Sequence, residues 1–396
     1  MNITVNSGDN LWAYSQVFQI PLQLIIDSNP DINPSRLAIG QNIRIPGFVT
    51  ETYTVQSGDT FWRIAQQQNI PISHISFMNR QINPANLFVG QEIILPRRVT
   101  WRVVNGNQPY TYNDLIQDMR VLAYIYPFIR TLNIGQSVMG KSIPEFVIGR
   151  GEKQVHWNGS FHANEWITTP VIMTFINDYL LALTNQQPIR GLQVQPYYHE
   201  VLLSVVPMVN PDGVNLVIEG PPDEEPYREQ VLDINNGRTN FSNWKANIRG
   251  VDLNNQYPAR WEIEKERKEQ QPAPRDYPGE APLTEPEAIA IAELTGNRNF
   301  DRVLAFHTQG EVIYWGFENL EPPEAETIVN EFARVSGYQP IQTVDSYAGY
   351  KDWFIQEWRR PGYTVELGQG INPLPLSQFE EIYQETLGIF LASLYL

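Results

Sequence analysis

Phe161-His162-Ala163-Asn164-Glu165-Trp166 places an imidazole and a carboxylate three residues apart, between two apolar segments. Upstream, Gln154-Val155-His156-Trp157-Asn158-Gly159-Ser160 reads as a short strand, and downstream Ile167 to Leu183 carries the pattern of a buried helix. The pair therefore sits on a strand-to-helix turn, where side chains can converge on one ion. A catalytic zinc site takes three protein ligands and leaves one position for water, so a distant third donor is required. The chain has five histidines and no cysteine, which restricts any zinc to histidine and carboxylate. His307 is the best-placed partner, because Asp301 to Phe306 reads as an apolar strand that ends at His307-Thr308-Gln309-Gly310. Strand ends are what an open α/β sheet offers its crevice. Taken alone, a strand-end histidine is more often a packed core residue than a ligand. His156 lies within a strand, His199 opens the apparent strand Val201 to Val206, and His74 belongs to a different region.

Composition bounds the remainder. With 396 residues, 42% hydrophobic and 18% charged, the chain can form one large domain plus smaller ones. No run approaches eighteen apolar residues, so no membrane insertion is expected. Met1-Asn2-Ile3-Thr4-Val5 lacks a basic region followed by an apolar stretch, so no signal peptide is expected either. A formal charge of −16 argues against a nucleic acid partner, because phosphate binding relies on lysine and arginine. Six arginines and six carboxylates balance within residues 1–98, so all of that negative charge lies downstream.

Residues 3–46 match residues 53–96 at a fixed offset of 50, with 19 of 44 positions identical. Ser7-Gly8-Asp9 recurs as Ser57-Gly58-Asp59, Trp12 as Trp62, Ile20-Pro21 as Ile70-Pro71, Ile32-Asn33-Pro34 as Ile82-Asn83-Pro84, and Gly40-Gln41 as Gly90-Gln91. Each repeat reads as a strand, a Ser-Gly-Asp turn capping a first helix, an Ile-Pro start to a second, and a Gly-Gln turn into a last strand. The pattern resembles the LysM module, a small βααβ fold that binds N-acetylglucosamine-containing polymers. The resemblance implies glycan contacts near Gly8, Asp9, Gly58 and Asp59, and around Asn29 and Asn79. Two weak modules on one chain raise avidity for a polymer.

Beyond Trp101 the repeat stops, and residues 100–396 read as a third domain after repeats at 1–48 and 51–98. Here the His-x-x-Glu pair is the first of an ordered set. It is followed by Asn210-Pro211-Asp212-Gly213, Trp244-Lys245-Ala246-Asn247, Val251-Asp252-Leu253-Asn254, Phe306-His307-Thr308-Gln309 and Tyr363-Thr364-Val365-Glu366-Leu367-Gly368. The set resembles the zinc carboxypeptidases, the carboxypeptidase A-like metallopeptidases. The resemblance implies an α/β domain with a mixed central sheet flanked by helices, and one Zn2+ held by His162, Glu165 and His307. It further implies Glu366 as general base, Lys245 as the cation beside the scissile carbonyl oxygen, and Tyr347 as the mobile active-site tyrosine, with Tyr350 as its substitute.

Two departures shape the expected reaction. Relatives that trim a C-terminus follow the motif asparagine with an arginine that grips the terminal carboxylate, whereas this chain reads Asn254-Asn255-Gln256. Lys351, before Asp352-Trp353, stands where relatives form the base of the specificity pocket, which favours an acidic group on the substrate. Substrate contacts are therefore expected at Asn254, Asn255 and Lys351. Two LysM modules joined to this domain resemble the γ-D-glutamyl-diamino acid endopeptidases of spore-forming bacteria. That resemblance implies cleavage of the γ-D-glutamyl bond to meso-diaminopimelate or L-lysine in peptidoglycan stem peptides, in the mother cell or at the spore or cell wall. The rival expectations are a zinc carboxypeptidase of the same fold and a wall-binding protein with an inactive peptidase domain. The segments Pro221–Gln230 and Glu262–Arg275 carry no assignable role in sequence and read as surface loops or a helix beside the cleft.

Overall fold

A computed structural model describes residues 1–396 and divides them into two compact units. The first comprises residues 1–103 with 120–130 and 177–195, and the second holds the rest. The first unit thus takes in segments from beyond the two repeats.

Each repeat folds as the periodicity requires, from strand through two helices to strand. In the first, strand Asn2–Thr4 pairs antiparallel with Asn42–Arg44, and helices Leu11–Phe18 and Leu22–Asp27 lie between them in sequence. In the second, Phe48–Thr54 pairs antiparallel with Glu92–Arg98 around helices Phe61–Gln68 and Ile72–Met78. The first helix of each repeat is capped one residue later than the Ser-Gly-Asp reading expects. The Asn10 and Thr60 side chains accept from the backbone N–H groups of Ala13 and Arg63. The aspartates fold back instead: Asp9 accepts from the Asn6 N–H and the Tyr14 hydroxyl, and Asp59 from the Gln56 N–H and the Tyr53 hydroxyl. Gly8 and Gly58 have φ of +88° and +81°, a conformation that a side chain would strain. In the second repeat Val55, Phe61, Ile64, Ile70, Ile75, Ile93 and Leu95 form one small core.

The second unit is built on an eight-stranded mixed sheet. Its spatial order is Gln339–Ile341, Val312–Tyr314, Gly362–Leu367, Arg302–Thr308, Lys153–Gly159, Val201–Val206, Ser142–Gly149 and Arg130–Gln136. The four central strands, Gly362–Leu367 through Val201–Val206, are mutually parallel. Arg302–Thr308 is buried at all seven positions, as a parallel strand covered on both faces requires. The helical span Ala163–Asn185, which contains helix Thr168–Asn185, is long and apolar enough by composition to cross a membrane. However, 89% of the relevant window is buried inside the protein, as in a core helix. Its start is tied to the end of strand Lys153–Gly159, because the Thr168 hydroxyl accepts from the Ser160 N–H at 2.8 Å. The Thr169 hydroxyl donates to the Pro207 carbonyl at 2.6 Å. The carboxyl ends of the parallel strands Lys153–Gly159, Val201–Val206 and Arg302–Thr308 bring the turn after Gly159, the turn after Val206 and His307 to one edge of the sheet.

Candidate metal centre and active site

His162, Glu165 and His307 converge at that edge. Each is no more than 5% exposed, and their ligand atoms lie within 4.8 Å of one another. Glu165 Oε1 is 2.8 Å from His162 Nδ1, Glu165 Oε2 is 3.0 Å from His307 Nδ1, and the two Nδ1 atoms are 3.1 Å apart. Two imidazole nitrogens and one carboxylate aimed at a common point fit a zinc site with one position left for water.

The surroundings hold these donors still. Phe161 stacks on the His307 ring at an interplanar angle of 5°. The Thr308 N–H donates to Glu165 Oε2 at 3.2 Å, and the Asn372 amide reaches both Glu165 Oε1 and the Thr308 carbonyl. Asn210 fastens the His162 turn to the Lys245 segment, donating to the Phe161 and Ala246 carbonyls. It also accepts from the Gly213 N–H. A Cβ at Gly213 would stand 2.6 Å from the Asn210 side chain and 2.8 Å from Ala163 Cβ, so that turn requires glycine. The Asn-Pro-Asp-Gly motif is thus a fastening for the metal turn.

Asp252 has a role its motif does not disclose. One oxygen lies 3.2 Å from His162 Nε2, and the other pairs with Lys245 Nζ at 2.8 Å. A carboxylate behind a metal-binding histidine fixes its tautomer and ring orientation. Burial opposes the charge on Asp252, but Lys245 and His162 outweigh it and hold the carboxyl well below the usual range. Burial likewise opposes the Lys245 charge, while Asp252 and Asp276 raise it above the usual lysine range. Lys245 is therefore a fixed cation in the cleft.

Glu366 stands opposite His307 across the parallel pair of strands. Desolvation by burial pushes its carboxyl up to about 7 and Glu165 adds to the rise, against the opposing pull of His307 and Lys245. Such a group can both take and give a proton near neutrality.

Other expected residues fall elsewhere. Lys351 does not offer its charge to a substrate: it is 4% exposed, donates to the Gly316 carbonyl at 2.7 Å and pairs with Asp352 at 2.5 Å. Tyr350 cannot substitute for Tyr347, because it is fully buried with its hydroxyl 2.9 Å from that of Thr295. Tyr347 lies half-buried against Phe317 under the Arg267 guanidinium, its N–H donated to Glu264. The Asn254 side chain accepts from the Tyr350 N–H. Asn255 is held between the Tyr347 carbonyl and Lys268 Nζ, which donates to it at 2.8 Å. His156 is a packed core histidine, bonded to Ser204 and stacked on Phe300. His199 closes helix Gln195–Glu200 and does not open the strand.

In the repeats, Asn29 and Asn79 are buried staples. Asn29 donates to the Ile25 and Arg44 carbonyls and accepts from the Arg44 N–H. Asn79 makes the same three bonds to Ile75 and Ile94. Both amide donors are spent, so these asparagines brace the fold and do not face a sugar. Asp9 is engaged by Arg80 of the second repeat at 2.8 Å. The surface instead offers Trp12 and Trp62, 62% and 65% exposed at equivalent positions.

Comparison with known proteins agrees with this geometry. The zinc carboxypeptidase family model matches residues 115–388, and the LysM domain model matches residues 3–46 and 53–96. The chain is 67% identical over 396 residues, all of both chains, to gamma-D-glutamyl-L-diamino acid endopeptidase 1 of Lysinibacillus sphaericus. It is 47% identical over 284 residues to the uncharacterised protein YqgT of Bacillus subtilis, covering 70% of this chain and 75% of that one. Among solved structures, the carboxypeptidase A of Helicoverpa armigera matches with a TM-score of 0.56 at 16% identity. That match covers 83% of this chain and 80% of the other and shows a shared fold.

Proposed function

From the premise that the chain belongs to the zinc carboxypeptidase family and carries two LysM domains, we propose that it is a peptidoglycan hydrolase. The bond assigned is the one between γ-D-glutamate and the diamino acid of the stem peptide. Residues 1–48 and 51–98 serve as glycan anchors and 100–396 as the catalytic domain. The observation that carries this reading is the buried His162, Glu165 and His307 cluster with Glu366 beside it. The full-length likeness to an endopeptidase of that name supports the choice of bond.

A zinc ion held by His162, Glu165 and His307 would supply Lewis acidity, acidifying water and polarising a carbonyl. Glu366 then receives the proton of the attacking water and delivers it to the departing amine nitrogen. Lys245 presents its fixed charge to the oxyanion that forms at the former carbonyl. Asp252 keeps His162 in the required tautomer and balances Lys245 when no substrate is present. Arginine is absent from the position where C-terminal trimming enzymes of the family grip a carboxylate. Asn255 occupies it with its amide already engaged, which disfavours a plain carboxypeptidase.

The test is incubation of the zinc-loaded protein with a defined L-alanyl-γ-D-glutamyl-diamino acyl-D-alanine stem peptide. Release of L-alanyl-D-glutamate is the expected product. Loss of only the terminal D-alanine sinks the proposal.

A further inference from the structure

The irregular end of the charged stretch Glu262–Arg275 reaches the metal site. The Pro274 carbonyl accepts from the backbone N–H groups of Lys245 and Ala246 at 2.8 and 3.0 Å. The Ala273 N–H donates to the Gly250 carbonyl at 3.0 Å. These bonds seat Arg275 beside Lys245, and both side chains line a cleft of about 180 Å³ together with the zinc ligand Glu165 and with Asn164. Asp276 joins the two cations, at 3.0 Å from Arg275 Nε and 3.5 Å from Lys245 Nζ.

The two cations are not equivalent. Lys245 is held by Asp252, whereas Arg275 uses only Nε on its neighbour and keeps its terminal guanidinium nitrogens toward solvent. Asn164 is 5% exposed and its Oδ1 has no hydrogen-bond partner. A buried acceptor without a partner carries a desolvation cost that a substrate N–H relieves. The cleft therefore combines a fork-shaped cation and an unsatisfied acceptor within reach of the scissile position. A fork of this kind matches a carboxylate. The other cations nearby are committed: Lys351 to Asp352 and Gly316, Lys268 to Glu264 and Asn255, Arg267 to Glu264 and Asp345.

We infer that Arg275 binds the free α-carboxylate of the glutamyl residue, with Asn164 Oδ1 open to a substrate N–H beside it, and so selects a substrate that carries a free carboxylate at that position. This rests on the γ-glutamyl reading above. A γ-glutamyl bond leaves that carboxylate two methylenes and one carbon from the scissile carbonyl, on the side whose oxygen faces Lys245. A peptide with a non-acidic residue at that position has no anion there.

The experiment measures kcat/KM for three soluble stem peptides: one with the glutamyl α-carboxylate free, one with it amidated, and one amidated instead on the diamino acid carboxylate. The wild type, Arg275→Ala, Arg275→Lys and Lys268→Ala are compared, with zinc content checked for each. The wild type is expected to favour the free glutamyl acid over its amide about 10- to 100-fold, the range of one charge-assisted pair. Arg275→Ala is expected to abolish that preference through KM, Arg275→Lys to restore part of it, and Lys268→Ala to keep it. Equal losses on all three peptides in Arg275→Ala overturn the assignment, as does a preference that follows the diamino acid amide or disappears in Lys268→Ala. A wild type that cleaves the γ-linked peptides without preference overturns the Arg275 role alone. One that leaves them all intact overturns the bond assignment with it.

Discussion

The repeats and the metal centre use similar residue types to opposite ends. In the metal centre, polar groups from four chain turns are buried and balance one another, His162 with Asp252 and Glu165 with the Thr308 N–H and Asn372 across long sequence distances, and Asp252 with nearby Lys245. In the repeats, the polar residues of the turns are consumed within the repeat, by Asn6, Tyr14, Ile25 and Arg44 in the first and by Gln56, Tyr53, Ile75 and Ile94 in the second. Large aromatic faces also stand outward there, Trp12 and Trp62. The proposed chemistry of the chain is therefore buried and polar, while exposed aromatic faces are the surface offered for the proposed adhesion. Changes to one region should leave the other's readout untouched.

The largest separation is expected from Glu366→Gln. It keeps the shape of the side chain and removes the proton shuttle, so kcat should fall by about 10²–10⁴-fold or more. Bound zinc and retention on insoluble peptidoglycan should stay at wild-type levels. Near-normal turnover in this variant removes Glu366 from the base role. Asp252→Asn is the intermediate case, since it leaves all three metal donors in place but loses the carboxylate behind His162. Zinc affinity or activity should drop about 10–100-fold, with the metal easier to strip by a chelator. Unchanged zinc retention and rate would reduce Asp252 to a partner of Lys245.

How far these roles were legible depends on whether partners were local. The His162 and Glu165 pair, the strand ending at His307 and the doubled repeat are written in short windows, and each folds as its pattern requires. Asp252 stands in a readable motif, but its function passes through His162, 90 positions away. Asn29 and Asn79 read as ligands because an asparagine in a loop is either a contact or a staple. The deciding groups are strand carbonyls and N–H groups 15 residues on. Lys351 misleads for the same reason: its motif shows a charge, while the Gly316 carbonyl that consumes it lies 35 residues earlier. Arg275 sits in an irregular stretch with no periodicity, and only the backbone bonds of Pro274 bring it to the cleft.

On the adhesive side the effects are smaller. Trp12→Ala with Trp62→Ala removes two exposed aromatic faces, and such surface changes cost little folding stability. Retention on insoluble peptidoglycan should weaken about tenfold, the scale of 1.4 kcal/mol, while hydrolysis of a soluble stem peptide stays constant. Asn79→Ala gives the contrasting result within the same repeat, lowering the melting temperature by deleting a buried three-bond staple. Wild-type retention in the double tryptophan variant would place the glycan on another face.

The smallest effect distinguishes the repeats from each other. Asp9 is gripped by Arg80 through both carboxylate oxygens, whereas Asp59 has only the Gln56 N–H and the Tyr53 hydroxyl. Burial tends to raise the Asp9 carboxyl, but Arg80, the Asn6 N–H and Tyr14 together hold it below its ordinary value. A carboxyl lowered in the folded state contributes stability above its unfolded pKa and loses it as pH falls through the folded one. The Arg80 pair should therefore stabilise the repeats at neutral pH and cease to do so in acid. The pair is partly exposed, which limits it to about 0.2–1 kcal/mol. Arg80→Ala should lower neutral-pH stability by that amount, converge with the wild type in acid, and show a smaller difference at high salt. A gap between the two proteins that is the same at all pH values would mean that Arg80 acts through its packing on Phe77, 4.1 Å below the guanidinium, and not through its charge.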